Sequence, residues 1–334
     1  MEKIAIIIDT NIFGEPEEYN FEDIRLCTFF NSMKNISNID IFIPNIVVEE
    51  LKKHIREELE KDRRKEMSKY YRESLPKDFV DKAFEKYAKR IDRLISRYKI
   101  KIITCDDFID ISEVNEWYFK RLLPFEEKKP KEFPDAMIIS ALKRYFDDKD
   151  YTKLYAISDD RGFRESLVRE TNFKTFKDIS SARKEFLGYD DNEIIMIRNY
   201  VSKRLELFNH QSDYHLNSFD SSDVIDIDSI IIKDIYDVDI LDIDGNKLTV
   251  EVKINAEITG DFYVFDPYDS QYDHEDKEYY YIEYRTADKI NIEEESVFLE
   301  IEKSQNNKIS QCKLVDSINI DLLKYINQME IVYD

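Results

Sequence analysis

Ile4-Ala5-Ile6-Ile7-Ile8-Asp9-Thr10 is nearly all apolar, rich in β-branched side chains and too short for a helix. Those are the marks of a central parallel strand buried on both faces. Asp9 is the first charge of the run. A carboxylate at the end of a buried strand is costly unless it is paired, hydrated or bound to a cation, and Asn11 cannot neutralise it. The other role open to Asp9 is to cap the next helix, which is common for Asp.

The arrangement recurs along the chain. Ile39 to Ile43 reads as a second strand, Pro44-Asn45 as a helix start, and Val47-Val48-Glu49-Glu50-Leu51 as the first helical turns. Glu50 then falls near the same sheet edge, whereas Glu49 points elsewhere because neighbouring helical residues diverge by about 100°. Glu132-Phe133-Pro134-Asp135-Ala136 opens another helix with Asp135 in its first turn, and Leu154 to Ile157 is a strand running into the polar turn Ser158-Asp159-Asp160-Arg161-Gly162-Phe163. Taken singly, each acid fits a cap or a favourable place at the helix dipole. Four at corresponding strand ends or helix starts of successive β/α units are hard to ascribe to capping, because such positions converge on one edge of a parallel sheet.

These stretches resemble the PIN-domain nucleases over residues 1 to about 180. The matching motifs are Asp9-Thr10-Asn11 after the first strand, Glu50-Leu51 in the helix after the second, Asp135-Ala136 at a helix start, and the turn Ser158 to Phe163. The spacing to Phe163 favours Asp160 over Asp159 as the fourth acid, with Asp159 a substitute or assistant. Pro124-Phe125 and the Glu132 to Asp135 string look most like a larger bacterial PIN-like subgroup. The resemblance implies a parallel α/β sheet flanked by helices, a catalytic and metal-binding set of Asp9, Glu50, Asp135 and Asp160 supported by Thr10, Asn11 and Ser158, and hydrolysis of a phosphodiester leaving a 5′-phosphate and a 3′-hydroxyl.

The residue types suit that chemistry. Four close carboxylates cannot all stay ionised without counter-charge, so raised and coupled pKa values are expected. Hard oxygen ligands without His or Cys favour Mg²⁺ or Mn²⁺ over Zn²⁺. Cys27, Cys105 and Cys312 have no CxxC spacing and read as thiols in a reducing compartment. The chain shows no membrane span, and its N-terminal apolar run is broken by Asp9 too early for a signal peptide, so a cytoplasmic location is expected.

A net charge of −22 is unusual for a protein that grips phosphates. It is unevenly spread. Residues 1–200 hold 38 Lys+Arg against 41 Asp+Glu, residues 201–334 hold 12 against 31, and residues 51–100 hold 17 against 10. The basic section reads as a helical hairpin over about 45–98, joined near Ser74-Leu75-Pro76. Lys52, Lys53, Arg56, Arg63, Arg64 and Lys65 would form a nucleic-acid-binding wall beside Glu50, with Arg161 and Arg164 as further phosphate ligands. The competing reading is a solvated hairpin whose bases pair with Glu57, Glu58, Glu60 and Asp62.

The expected domains are a PIN-like nuclease domain over 1–208, a linker over 209–223, and a smaller, acidic, β-rich domain over 224–334, forming an antiparallel sheet or barrel. A helix from about Asp178, with a break near Gly188-Tyr189, would reach Phe208. His210 and His215 read as incidental loop residues, and the acidic stretch from Asp266 to Asp276 lacks the ligand spacing of a Ca²⁺ loop. The leading function is a metal-dependent RNA endonuclease whose C-terminal domain regulates access or binds a protein partner. A structure-specific DNA nuclease and a non-catalytic PIN-fold scaffold are the alternatives. RNA versus DNA, oligomeric state, and a place in toxin, RNA-processing or phage-defence pathways are not legible in these residues.

Overall fold

The computed structural model describes residues 2–14, 19–69, 78–125, 132–208, 214–217, 223–266, 271–273, 278–281, 284–304, 308–315 and 318–332. It divides into two compact units, the first ending at Phe186 and the second running from Leu187 to Asp334.

The first unit is built on a five-stranded sheet. Its strands are β1 (Ile4–Ile8), β2 (Ile39–Pro44), β3 (Lys101–Ile103), β4 (Lys153–Ile157) and β5 (Lys174–Phe176), in the order β3-β2-β1-β4-β5. Every neighbouring pair is parallel, with Ile6 beside Ile41 and Ile8 beside Ile157. From Ala5 to Ile8 β1 is completely enclosed, which accounts for a strand with no polar alternation. The chain leaves β1 toward β2 on one side and returns to β4 on the other. The ends of β1 and β4 therefore flank a topological switch point, where an open α/β sheet leaves a crevice.

Helices cover the sheet: α1 (Ile24–Asn35), α2 (Asn45–Lys69), α3 (Phe79–Tyr98), α4 (Ile111–Lys120), α5 (Phe133–Tyr145), α6 (Arg161–Glu170) and α7 (Ile179–Leu187). Their starts are specified locally. Asp23 accepts from the Arg25 and Leu26 amides, Asp110 from those of Ser112 and Glu113, and Pro134 sits in the first turn of α5. Helices α4 and α5 are clamped by Arg144, which donates to Asp110 at 2.9 Å and Glu113 at 2.8 Å, while Lys143 reaches Glu113 at 2.7 Å. The hairpin of α2 and α3 is present, and Arg56 joins the two helices through Asp81 at 2.9 Å; the 74–76 junction lies outside the described residues.

The expected helix from Asp178 to Phe208 is broken into α7, α8 (Asp191–Ser202) and a 3-10 turn at Leu205–Phe208. The division between units falls at Leu187, not at 208. Its cause is packing: Ile197 and Val201 of α8, with Phe208, belong to one apolar core with Val238, Ile240, Val250, Ile320 and Leu322 of the second unit. The stretch expected as a linker also carries a strand, β6 (Tyr214–Asn217), with a buried Tyr214 and an exposed His215. His210 lies outside the described residues.

In the second unit, β7 (Val224–Asp244), β8 (Lys247–Phe265), β11 (Tyr284–Lys303) and β12 (Ile309–Leu314) form an antiparallel sheet in the order β12-β11-β8-β7. A short pair, β9 (Gln271–Asp273) and β10 (Glu278–Tyr281), precedes β11; β13 (Ile318–Asp321) pairs in parallel with β6, and β14 (Glu330–Val332) pairs with β11. Strand β7 runs unbroken over 21 residues. Shifts of register at Ile227/Ser229, Ile232/Asp234, Ile235/Asp237 and Ile240/Asp242 keep it paired with β8 while interrupting the alternation that marks a strand in sequence. Gly260 of β8 is required by close approach: a Cβ there would lie 2.0 Å from the Asp226 carbonyl oxygen of β7. Asp266 is buried and paired with Arg285, a structural ion pair; residues 267–270 and 274–277 lie outside the described residues.

Candidate active site

The crevice at the switch point gathers the acids that the motifs single out. Asp9 follows β1 directly and is 6% exposed. Its carboxylate accepts from the Thr10 amide at 2.8 Å, the Asn11 side-chain amide at 2.9 Å and the Ser158 hydroxyl at 2.5 Å. Burial pushes its pKa up to about 6 against those hydrogen bonds, and the charges of Glu50 and Asp160 push the same way. Asp9 is thus more than a cap: it receives protein donors and still carries the strain of neighbouring negative charge.

Glu50 sits in the second turn of α2, and its carboxylate accepts from the Thr10 hydroxyl at 2.7 Å. Burial raises its pKa, with Glu132 adding to the rise and Lys53 opposing it. Glu49 turns away to Lys52 at 2.9 Å, as the helical period requires. Asp135, half-buried in the first turn of α5, is held well above the ordinary carboxylate range by burial, and then by the charges of Asp9, Glu132, Asp160 and Glu50. These mutual effects bring the four acids into one electrostatic neighbourhood.

The turn after β4 resolves the two adjacent aspartates. Asp160 caps α6, accepting from the Phe163 amide at 2.8 Å, and lies close enough to Asp9 and Asp135 to raise both. Asp159 is exposed and lies 3.7 Å from Lys177. Ser158 is fully buried and joins both strand ends: its hydroxyl donates to Asp9, accepts from the Asp160 amide at 3.1 Å and lies 3.2 Å from the Asn11 amide nitrogen. Asn11 completes the brace by accepting from the Asp159 amide at 2.8 Å.

Glu132 is a fifth carboxylate in the field, absent from the expected set. It precedes α5 and makes no side-chain capping bond, so its charge acts on Asp135 and Glu50. Its place three residues before Asp135 is the spacing of an ordinary helix start, which masks it in sequence.

The expected basic wall is mostly paired. Lys53 lies 3.9 Å from Glu57, Arg63 3.8 Å from Glu60, and Lys52 and Arg56 have the partners named above. The side chains of Arg64 and Lys65 lie outside the described residues. Beside the acids, Arg161 pairs with Glu165 at 2.6 Å, and Arg164 donates to the Ser158 carbonyl at 2.6 Å.

The candidate ligands are all hard oxygen donors, and their mutual repulsion is what a divalent cation would relieve. Among the described residues, no three Asp, Glu, His or Cys side chains already converge as an ion cage; Asp9, Glu50 and Asp160 hold Thr10, Asn11, Ser158 and Phe163 donors. Cys27, Cys105 and Cys312 are free thiols, Cys105 with its pKa pushed up to about 12 by burial. Among the described residues, no helix is long and apolar enough to cross a membrane.

The fold is thus an open parallel α/β sheet with candidate oxygen donors at the ends of β1 and β4 and the starts of the neighbouring helices. Residues 6–163 match the family model of the PIN domain, consistent with an N-terminal PIN domain, a fold that suggests a nuclease superfamily. No curated protein and no solved structure matches the chain.

Proposed function

We propose that the protein is a metal-dependent nuclease that cleaves RNA, with Asp9, Glu50, Asp135 and Asp160 as its catalytic carboxylates. The observation that supports this reading is the electrostatic coupling of the acids: burial raises Asp9, Glu50 and Asp135, the charges of Glu50 and Asp160 add to the rise of Asp9, and those of Asp9, Asp160 and Glu50 add to the rise of Asp135. The four would hold Mg²⁺ or Mn²⁺, whose charge would acidify an attacking water and offset negative charge on the leaving oxygen.

The chain's own residues supply position. Ser158 and Asn11 fix the Asp9 carboxylate, and Thr10 fixes Glu50, so two ligands from different elements are oriented before substrate arrives. Glu132 adds charge at the rim and would favour uptake of a cation. Arg161 and Arg164, at the start of α6 beside Asp160, would take phosphate oxygens as guanidinium forks. Lys52, Lys53, Arg56, Arg63, Arg64 and Lys65 would follow the strand further out, exchanging carboxylate partners for phosphates. The acidic second unit would regulate access or recruit a protein partner.

Incubation of the purified protein with end-labelled RNA and DNA, in Mg²⁺, Mn²⁺ or chelator, tests the reading. Cleavage of RNA with either metal, lost in chelator and in Asp9→Asn, is expected. Activity on DNA flaps alone would favour the structure-specific DNA nuclease, and inactivity on every substrate the scaffold.

A further inference from the structure

The first unit holds a second concave site, which none of the four acids lines. It is a cavity of about 340 Å³ between α1 and α3, walled by Phe21, Cys27, Leu94 and Tyr98 and by Arg90, Arg93 and Arg97. The volume lies in the range of small-ligand pockets, about 300–1,000 Å³. Its polar groups are lopsided. Three guanidiniums line it against one carboxylate, Glu22.

The arginines occupy positions i, i+3 and i+7 of α3, one face of the helix, with successive rises of about 4.5 and 6 Å along its axis. Their partners among the described residues are weak or neutral. Arg93 donates to the Lys89 carbonyl at 3.2 Å, while Arg90 and Arg97 lie over the rings of Tyr87 and Tyr98, each at 5.3 Å. Four other arginines of this unit, Arg56, Arg144, Arg161 and Arg169, have carboxylate partners, whereas Arg164 has a carbonyl. Three like charges ranged round a cavity with a single carboxylate in its lining leave a positive excess, and a bound anion relieves their repulsion. Guanidinium forks match phosphate in particular. The floor made by Phe21, Leu94 and Tyr98 suits an apolar or aromatic group beside the anion.

We infer that this cavity is a nucleotide-binding site, with phosphate on Arg90, Arg93 and Arg97 and the base against the floor. A free nucleotide and one unit of a nucleic-acid strand present the same chemistry. The inference does not rest on the nuclease reading, because binding here is measured without cleavage.

The test is calorimetric titration of the full chain in chelator with adenosine 5′-monophosphate, adenosine, inorganic phosphate and a single-stranded RNA decamer. The monophosphate is expected to bind more tightly than adenosine or phosphate. Replacement of Arg90, Arg93 and Arg97 by Gln is expected to weaken it by about tenfold or more, and Asp9→Asn to leave it unchanged. All three arginines are exposed, so the variant should keep its melting temperature, and Arg93→Gln alone should show a smaller loss of the same sign. A decamer bound through these arginines, with no binding of the monophosphate, would identify the strand as the source. The inference is overturned if no phosphate-bearing probe binds, if phosphate binds as well as the nucleotide, or if the variants match the wild type for every probe.

Discussion

Asp9 shows how one residue carries both stability and chemistry. Its native pKa of about 6 lies above the ordinary carboxylate value near 4, so the folded state binds the proton more tightly than the unfolded chain. The stability that this proton contributes is fully present below about pH 4 and is lost as pH rises through 6. Asp9→Asn should therefore stabilise the fold in chelator at pH 7 or above, by roughly 1–3 kcal/mol and so with a higher melting temperature, and remove that pH dependence while abolishing cleavage. Thermal scans from pH 4 to 8 beside an RNA cleavage assay check this, and full activity in the variant would sink the proposed mechanism. Saturating Mn²⁺ should stabilise the wild type by mass action and the Asp9→Asn/Asp160→Asn variant far less. Gly162 offers a sharper probe. A Cβ there would stand 3.1 Å from the Asp160 carboxylate oxygen, in the first turn of α6, where Ala is otherwise preferred to Gly. Gly162→Ala should leave the melting temperature unchanged or slightly higher and cut kcat, a combination that separates a displaced ligand from a damaged fold.

At the scale of elements, the hairpin of α2 and α3 is where the proposed hold on the substrate can be tested. Its exposed ion pairs contribute only about 0–1 kcal/mol each, so phosphates can compete for Lys52, Lys53, Arg56 and Arg63 at little cost in stability. Replacing Arg63, Arg64 and Lys65 by Glu should weaken RNA binding and flatten its dependence on salt, while Mn²⁺ stabilisation stays the same. Fluorescence anisotropy at several salt concentrations measures both. An unchanged salt slope would assign these residues to a solvated face and leave Arg161 and Arg164 as the phosphate contacts.

For the whole molecule, the place of α8 sets what can be removed. Truncation after Phe208 would leave the apolar side of α8, with Ile197 and Val201, without its core, and that product should aggregate. Truncation after Phe186 respects both cores and should be soluble. With that shorter chain, faster cleavage at low salt would show that the acidic unit restrains the enzyme; unchanged turnover would favour recruitment of a partner.

By itself the sequence determined the parallel sheet and where the four candidate acids fall on it, since an apolar, β-branched run followed by Asp9 and the starts of α2, α5 and α6 are written in local residue chemistry. The spacing to Phe163 is what puts Asp160 forward over Asp159 as the candidate, and Asp160 is the one whose charge acts on Asp9 and Asp135. Three things were decided by tertiary structure alone. Glu132 joins the field of the candidate acids because folding brings its charge to bear on Glu50 of another helix as well as on Asp135, while its own spacing looks like a common helix start. Helix α8 belongs to the second unit because a helical period reveals an apolar face but not which core will cover it. The long strands β7 and β8 are continuous because cross-strand pairing carries them through register shifts that break the alternation along the chain.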